Sequence, residues 1–289
     1  MLKYGVIILN YLAYEETINT LSSFFLQKKD ACTVEYIVVD NFSNNESYDK
    51  LVQFAKDYEN VHVFRTKRNL GFANGNNYGY VQLKKILPDP DYVIISNDDI
   101  LLIDDKLFSW IDSCYNKNKF AVLGPDVYSI RGQFHQSPGY NRSRDIANLK
   151  NEQRQLRKKL IKTYIAHLRG KYVSQTKNVP VWNNDLYESY SEEYTIHGSF
   201  QVFSKVYFNF YKTPYDSSTF LYLEEDILKL RCDIKGIKMV YDPSYKLNHL
   251  QAVSTNKINK TSFSKEVFRY KNLLKSLGIF IRITRKAKS

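Results

Sequence analysis

The sequence predicts an α/β protein built on a doubly wound, mainly parallel sheet. Two observations predict it. Short apolar runs at 4–10, 35–40, 61–65 and 92–96 alternate with stretches of helical periodicity, which is the pattern of repeated βαβ units. Three of those runs end in, or lead directly into, a polar group at Asn10, Asp40 and Asn97. Open α/β sheets bind ligands outside the carboxyl ends of their strands, so these polar ends belong to one crevice.

The elements follow in order. Residues 4–10 are expected to form the first strand rather than a leader peptide, because the run is broken by Asn10 and has neither a strongly basic lead nor a small-residue cleavage site. A helical pattern covers Glu15 to Gln27, and the second strand, 35–40, opens into the turn-rich Asn41-Phe42-Ser43-Asn44-Asn45. A helix from about Ser47 to Tyr58 leads to the strand Val61 to Arg65. The segment Asn69 to Asn77 reads as a glycine- and amide-rich loop ahead of a helix to about Leu87, and Tyr92 to Ser96 is the fourth strand. Beyond 105 the order becomes mixed, with a helix near 106–117 and strands near 120–124, 195–204 and 239–242.

Between 141 and 172, Ile146, Leu149, Leu156, Leu160, Ile161, Ile165 and Leu168 recur at near-helical spacing among Arg, Lys and Gln. This predicts a basic amphipathic helix, or a helical hairpin, inserted at about 141–175, which suits a membrane interface, packing on the domain, an oligomer contact or a lid over the crevice. The main domain is expected over 1–255, with a basic amphipathic helical extension over 256–289. In that extension cationic and apolar positions alternate from Lys265 to Ile283, which suits either a membrane interface or a helix packed on the domain.

Net charge is +12, which raises nucleic acid, anionic membrane and phosphorylated ligands as partners. No recognised RNA- or DNA-binding motif occurs, and the acids converge where a phosphate backbone would be repelled, so nucleic acid is set aside. Cys32, Cys114 and Cys232 are odd in number and far apart, which argues against a disulfide framework or zinc site and for a reducing compartment. No apolar run approaches 18 residues, so no membrane span is expected.

Five features carry chemistry. In Asn97-Asp98-Asp99 adjacent carboxylates repel, so they need full solvation or a cation; a solvated acidic turn explains them as well. Asp40 can accept from a nucleobase N–H or a ribose hydroxyl, or cap its own turn. Exposed N–H groups in Asn69–Asn77 suit a diphosphate or a sugar, or simply start a helix. Glu224, Glu225 and Asp226 open a helical stretch; the helix dipole accounts for one or two acids, but three crowded beside aromatics raise the pKa of at least one, as a general base requires. His249 is structural or completes a Mg²⁺ or Mn²⁺ shell with Asp99 and diphosphate oxygens.

Taken together, Val39-Asp40-Asn41-Phe42-Ser43, Asn69-Leu70-Gly71-Phe72-Ala73 through Asn77, Asn97-Asp98-Asp99, Phe220-Leu221-Tyr222 with Glu224-Glu225, and Tyr241-Asp242-Pro243 with His249 resemble the family 2 glycosyltransferases of GT-A fold. Their order over about residues 4–255 is similar to the branch containing bacterial rhamnosyltransferases and polysaccharide-building enzymes. The resemblance implies donor contacts from Asn10, Asp40, Asn41, Ser43, Asn69, Gly71, Phe72, Asn76, Asn97 and Asp98, with Asp40 at the nucleobase. It implies Asp99 and His249 as ligands of Mg²⁺ or Mn²⁺, and His197, Gly198 and Ser199 beside the acceptor. The catalytic carboxylate follows a leading acid, here Glu224; the family's Glu-Asp pair is Glu-Glu followed by Asp226, and the distance to Arg231 favours Glu225 over Asp226. The implied reaction is inverting transfer from dTDP-rhamnose or a UDP-hexose to a polyprenyl-diphosphate-linked glycan, with a catalytically inactive domain that binds nucleotide sugar as the alternative. The implied setting is cytoplasmic, at the inner face of a bacterial plasma membrane, with a homo-oligomer as a further expectation.

Overall fold

A computed structural model describes residues 1–29, 32–172, 185–251 and 261–288. The centre of its sheet is β1 (Leu2–Asn10), flanked in parallel by β2 (Cys32–Asp40) and β4 (Tyr92–Asn97), with β3 (Val61–Arg65) parallel outside β2. Val6, Ile7, Ile8, Val93, Ile94 and Ile95 have no exposed surface, because helices cover both faces. That is why these strands read as continuous apolar runs. Helices α1 (Tyr14–Phe25) and α2 (Ser47–Ala55) pack on the face of Tyr4, Val6 and Ile8, and α3 (Gly71–Ile86) packs on the face of Ile7, Ile37 and Val39.

The other half of the sheet is mixed. Its additional strands are β5 (Ile100–Leu102), β6 (Val122–Ser129), β7 (Phe134–His135), β8 (Phe200–Ser204) and β9 (Met239–His249), and α4 (Leu107–Asn118) joins β5 to β6. The order is β3-β2-β1-β4-β8-β6-β9-β5, with β7 paired to β6; β8 is antiparallel to both neighbours, while β6 and β9 run parallel. The strand expected at 195–204 is thus shorter, Thr195 forming only an isolated bridge to Gly139. The strand expected at 239–242 is longer. Pro243 removes a ladder donor, and the pairing with β6 shifts register between Gly124 and Asp126 before it resumes, carrying β9 on to His249.

The segment Asn69–Asn77 is not a loop up to the helix, because α3 begins at Gly71. Glycine and asparagine are poor helix formers, but tertiary bonds override that preference here. The Asn77 side chain donates to the Tyr215 carbonyl and accepts from its N–H, each at 3.0 Å, and Asn74 Nδ2 donates to the Ser217 and Thr219 carbonyls.

The described residues of the insertion form one helix, α5 (Ile146–Leu168), capped by Asp145 accepting from the Asn148 N–H. The short α6 (Lys205–Phe208) follows β8, α7 (Glu224–Ile234) precedes β9, and α8 (Ser262–Lys288) closes the chain. A third core joins them: Leu149 of α5, Leu223, Ile227 and Leu230 around α7, and Leu277, Phe280 and Ile281 of α8. Of its two sequence readings, the apolar face of α8 takes the packed one. The 255/256 boundary lies outside the described residues. Among the described residues no helix is long and apolar enough to cross a membrane.

Candidate active site

Strand pairing gathers the candidate residues at one sheet edge. The antiparallel register Ser96↔Phe200 puts 97–99 against 197–199, and the Asn97 N–H donates to the Ser199 carbonyl at 2.8 Å. The antiparallel register Ile100↔His249 then brings His249 to Asp99.

Asp99 Oδ1 lies 3.1 Å from His249 Nε2, with these residues 5% and 7% exposed. On the far side of the ring, His249 Nδ1 is 2.6 Å from Gln136 Oε1. An amide oxygen only accepts, which assigns the ring proton to Nδ1. In a neutral imidazole the Nε2 lone pair is then turned on the Asp99 carboxylate. Two electron-rich atoms facing each other suit an intervening cation, and one carboxylate plus one imidazole is a donor set for Mg²⁺ or Mn²⁺. Among the described residues no group of three or more His, Cys, Asp or Glu could hold a metal ion, so other ligands would come from substrate phosphates and water. Asp98, 6% exposed, accepts from the Tyr11 N–H at 3.3 Å; burial, then the charge of Asp99, pushes its carboxyl well above the usual range.

His197 links this pair to the acids of α7. Its ring centre is 5.8 Å from that of His249, and its Nδ1 accepts from the Ser199 N–H at 3.2 Å. Burial, then His249, lowers its pKa to about 3, so the ring is neutral at pH 7. The next residue, Gly198, donates its N–H to Glu225 Oε1 at 3.2 Å. A Cβ on Gly198 would stand 2.5 Å from that oxygen, so glycine admits the carboxylate.

The three acids differ in setting. Glu224 is 5% exposed with Oε1 lacking a hydrogen-bond partner, and burial, then Glu225, pushes its pKa to about 8. Glu225 keeps part of its surface open, and burial raises its pKa. Asp226 is also raised by burial, against the pull of Arg142, whose Nε lies 3.2 Å from its Oδ2. Arg142 also holds Glu152 of α5 at 2.7 Å. Asp226 is therefore held in an ion pair with Arg142, and Glu225 is the carboxylate held by the Gly198 N–H. The turn before these acids is strained: Tyr222 and Leu223 have φ of 74° and 65°, at a cost of about 1–2 kcal/mol each.

Next to these groups lies a cleft of about 290 Å³ lined by Leu9, Tyr11, Asn41, Asn69, Gly71, Phe72, Asn97, Asp98, Phe220, Leu221 and Phe268. Six of the expected donor contacts line it. Gly71 is required there: its φ is +75°, and a Cβ would meet the Phe220 carbonyl oxygen at 2.1 Å. Asn10, Asp40, Ser43 and Asn76 do not line it. Asn10 Nδ2 donates to Asp40 Oδ1 at 2.8 Å, and Asp40 Oδ2 accepts from the Ser43 N–H at 3.2 Å and pairs with Arg65 at 3.3 Å. Asp40 thus holds the strand-end turn. Asn76 faces inward, its Nδ2 donating to the Phe72 carbonyl at 3.0 Å.

Sequence reasoning missed Tyr11, Phe268, Gln136 and Arg142. Tyr11 could have been found as the first residue after a strand ending in Asn10. The other three reach the site through pairings that no local pattern signals.

The mixed sheet with helices on both faces is a GT-A fold. The chain belongs to Glycosyl transferase family 2, whose sequence profile matches residues 5–175. No curated protein sequence matches. Among solved structures, the fold is similar to S. aureus TarS 1-349 in complex with UDP-GlcNAc (TM-score 0.52, 12% identity, 94% of this chain and 65% of that one). It is also similar to GalNAc-T7 with UDP, GalNAc and Mn²⁺ (0.57, 15%, 93% and 47%). A third is the mannosyltransferase PcManGT from Pyrobaculum calidifontis with GDP-Man and Mn²⁺ (0.56, 11%, 98% and 73%). The chain spans 37% of the longer S. aureus TarS chain.

Proposed function

We propose that the protein transfers a sugar from a nucleoside diphosphate sugar to a glycan hydroxyl, with inversion at the anomeric carbon and with a divalent cation. The observation that carries this reading is the convergence at one sheet edge of the Asp99–His249 pair and the Gly198-held Glu225 beside the cleft. The nucleotides and Mn²⁺ bound in GalNAc-T7 and PcManGT, and the UDP-GlcNAc in TarS, support the donor class and the metal.

In this reading the nucleotide sugar occupies the cleft, with Asn41, Asn69 and the amides at the start of α3 toward its polar groups and Asp98 toward the sugar or ribose. Asp40, Asn10, Ser43 and Asn76 act indirectly, by shaping the turns that Asn41 and Phe72 stand on. Asp99 and His249 would hold Mg²⁺ or Mn²⁺, which when bound offsets negative charge on the leaving diphosphate. Glu225 takes the proton from the acceptor hydroxyl, whose oxygen forms a bond to the anomeric carbon as the bond to the diphosphate oxygen breaks. General base catalysis of this kind contributes about 10²–10⁴-fold, and the raised pKa of Glu225 brings it nearer to neutral working pH. His197 and Ser199 stand on the acceptor side.

dTDP-rhamnose and UDP-hexoses are the first donors to try, and a polyprenyl-diphosphate-linked cell-surface glycan at the cytoplasmic membrane face is the first acceptor. The test is calorimetric titration of UDP-, dTDP- and GDP-sugars with and without Mn²⁺. One donor should bind, more tightly with Mn²⁺, and the Mn²⁺ dependence should vanish in Asp99→Ala. Binding of none of them refutes the reading.

A further inference from the structure

Among the described residues the outward face of α5 is unpartnered, and it has two halves. Ile161, Ile165 and Leu168 fall on one helical face at i, i+4 and i+7 and are 57%, 41% and 83% exposed. Elsewhere exposed large apolar residues are scattered, as Leu26, Val81 and Ile130 are, which is normal for a soluble surface. Lys150, Arg154, Arg157, Lys158 and Lys162 lie on or beside the same face, all exposed. The helix carries one acid, Glu152, which lies on the opposite side and is held by Arg142. A run of cations flanking an apolar stripe therefore looks outward, and among the described residues of α5 no acid lies on that face.

We propose that this face of α5 is a docking surface for an anionic lipid bilayer. The stripe enters the headgroup boundary and the cations meet anionic headgroups, each worth about fivefold in partition. A second copy of the chain fits poorly, because its own α5 would bring the same five cations against these. A nucleic acid would satisfy the cations but leave the three apolar side chains in water. Of the two basic helices for which the sequence allows a membrane interface, α5 is the one that keeps it, since α8 spends its apolar side chains on the core shared with Leu149 and Ile227. The foot of α5 is joined to Asp226 through Arg142, and Phe268 of α8 lines the cleft, so a docked α5 holds the cleft close to the lipid surface. The inference stands on the surface alone, independently of the catalytic reading.

The experiment is co-sedimentation of the full chain with vesicles of phosphatidylglycerol and phosphatidylcholine in equal parts, and with phosphatidylcholine alone, plus sedimentation velocity without lipid. Wild type should bind the anionic vesicles at least tenfold better than the neutral ones. The combined Ile161→Ser, Ile165→Ser and Leu168→Ser variant should lose at least tenfold in binding with its circular dichroism and thermal midpoint unchanged. Reversal of Arg154, Arg157 and Lys158 to Glu should do the same, while Ile103→Ser with Ile130→Ser should bind as wild type. The inference is overturned if wild type shows no preference for anionic vesicles or if the serine variant binds undiminished. It is equally overturned if wild type dimerises and the serine variant does not, which would give the face to a second copy.

Discussion

Replacing Gly198 by alanine tests whether Glu225 is the base without touching Glu225 itself. The added Cβ would lie 2.5 Å from Glu225 Oε1, whereas ordinary contact begins at 3.4 Å, so the carboxylate must retreat by ~0.9 Å. Gly198 does not need a positive φ, and the clash falls on the end of a flexible side chain, so the backbone tolerates the change. Misplacing a reacting group by about 1 Å costs about 10²-fold. Gly198→Ala should therefore lower kcat about 100-fold, with the thermal midpoint and the donor Kd within error of wild type. The assay is steady-state release of nucleoside diphosphate, run beside calorimetric donor binding and Glu225→Gln, which should lose about 10²–10⁴-fold. A Gly198→Ala enzyme with kcat within twofold of wild type would refute Glu225 as the base.

Three further outcomes are expected. Asp226→Asn should keep kcat within about tenfold but lower stability by about 1–3 kcal/mol in chemical denaturation, because it loses a charged partner of Arg142; a loss of turnover as large as that of Glu225→Gln would make Asp226 the base instead. Gln136→Leu should weaken Mn²⁺ binding in titration by about 10–100-fold, since it releases the ring proton that directs His249 Nε2 toward Asp99; an unchanged Mn²⁺ affinity would count against His249 as a ligand. Glu224 has a pKa near 8 when folded and near 4.5 when unfolded, so the folded state binds more protons between those values and stability falls as pH rises through that window. The loss, up to about 5 kcal/mol, is complete above pH 8 and absent below pH 4.5, so Glu224→Gln should raise the unfolding midpoint only toward alkaline pH; an equal shift at all pH values would rule out this cause.

The parallel half of the fold was legible because each buried strand there is a continuous apolar run ending in a polar residue. The mixed half was less so. Pro243 stops the strand signal at Asp242, yet β9 runs on to His249, and only that continuation explains how His249 meets Asp99. The carboxylates and His249 could be nominated from residue type and order. Which groups they pair with could not: Asp40 with the Ser43 N–H and Asp226 with Arg142 are facts of tertiary pairing. For the same reason α5 and α8 looked alike as basic amphipathic helices. Their difference lies in what covers them, since α8 is buried against α7 while the stripe on α5 faces outward.

The measurement that tests the account most directly is release of nucleoside diphosphate from a panel of UDP-, dTDP- and GDP-sugars, with Mn²⁺ and a bacterial lipid-linked glycan extract as acceptor. It compares wild type, Asp99→Ala and Glu225→Gln, with donor binding measured on the same samples. The account predicts that wild type consumes one donor, that both variants lose this activity, and that Glu225→Gln still binds the donor. Turnover that survives Glu225→Gln and Asp99→Ala, or a wild-type protein that binds no nucleotide sugar, would contradict it.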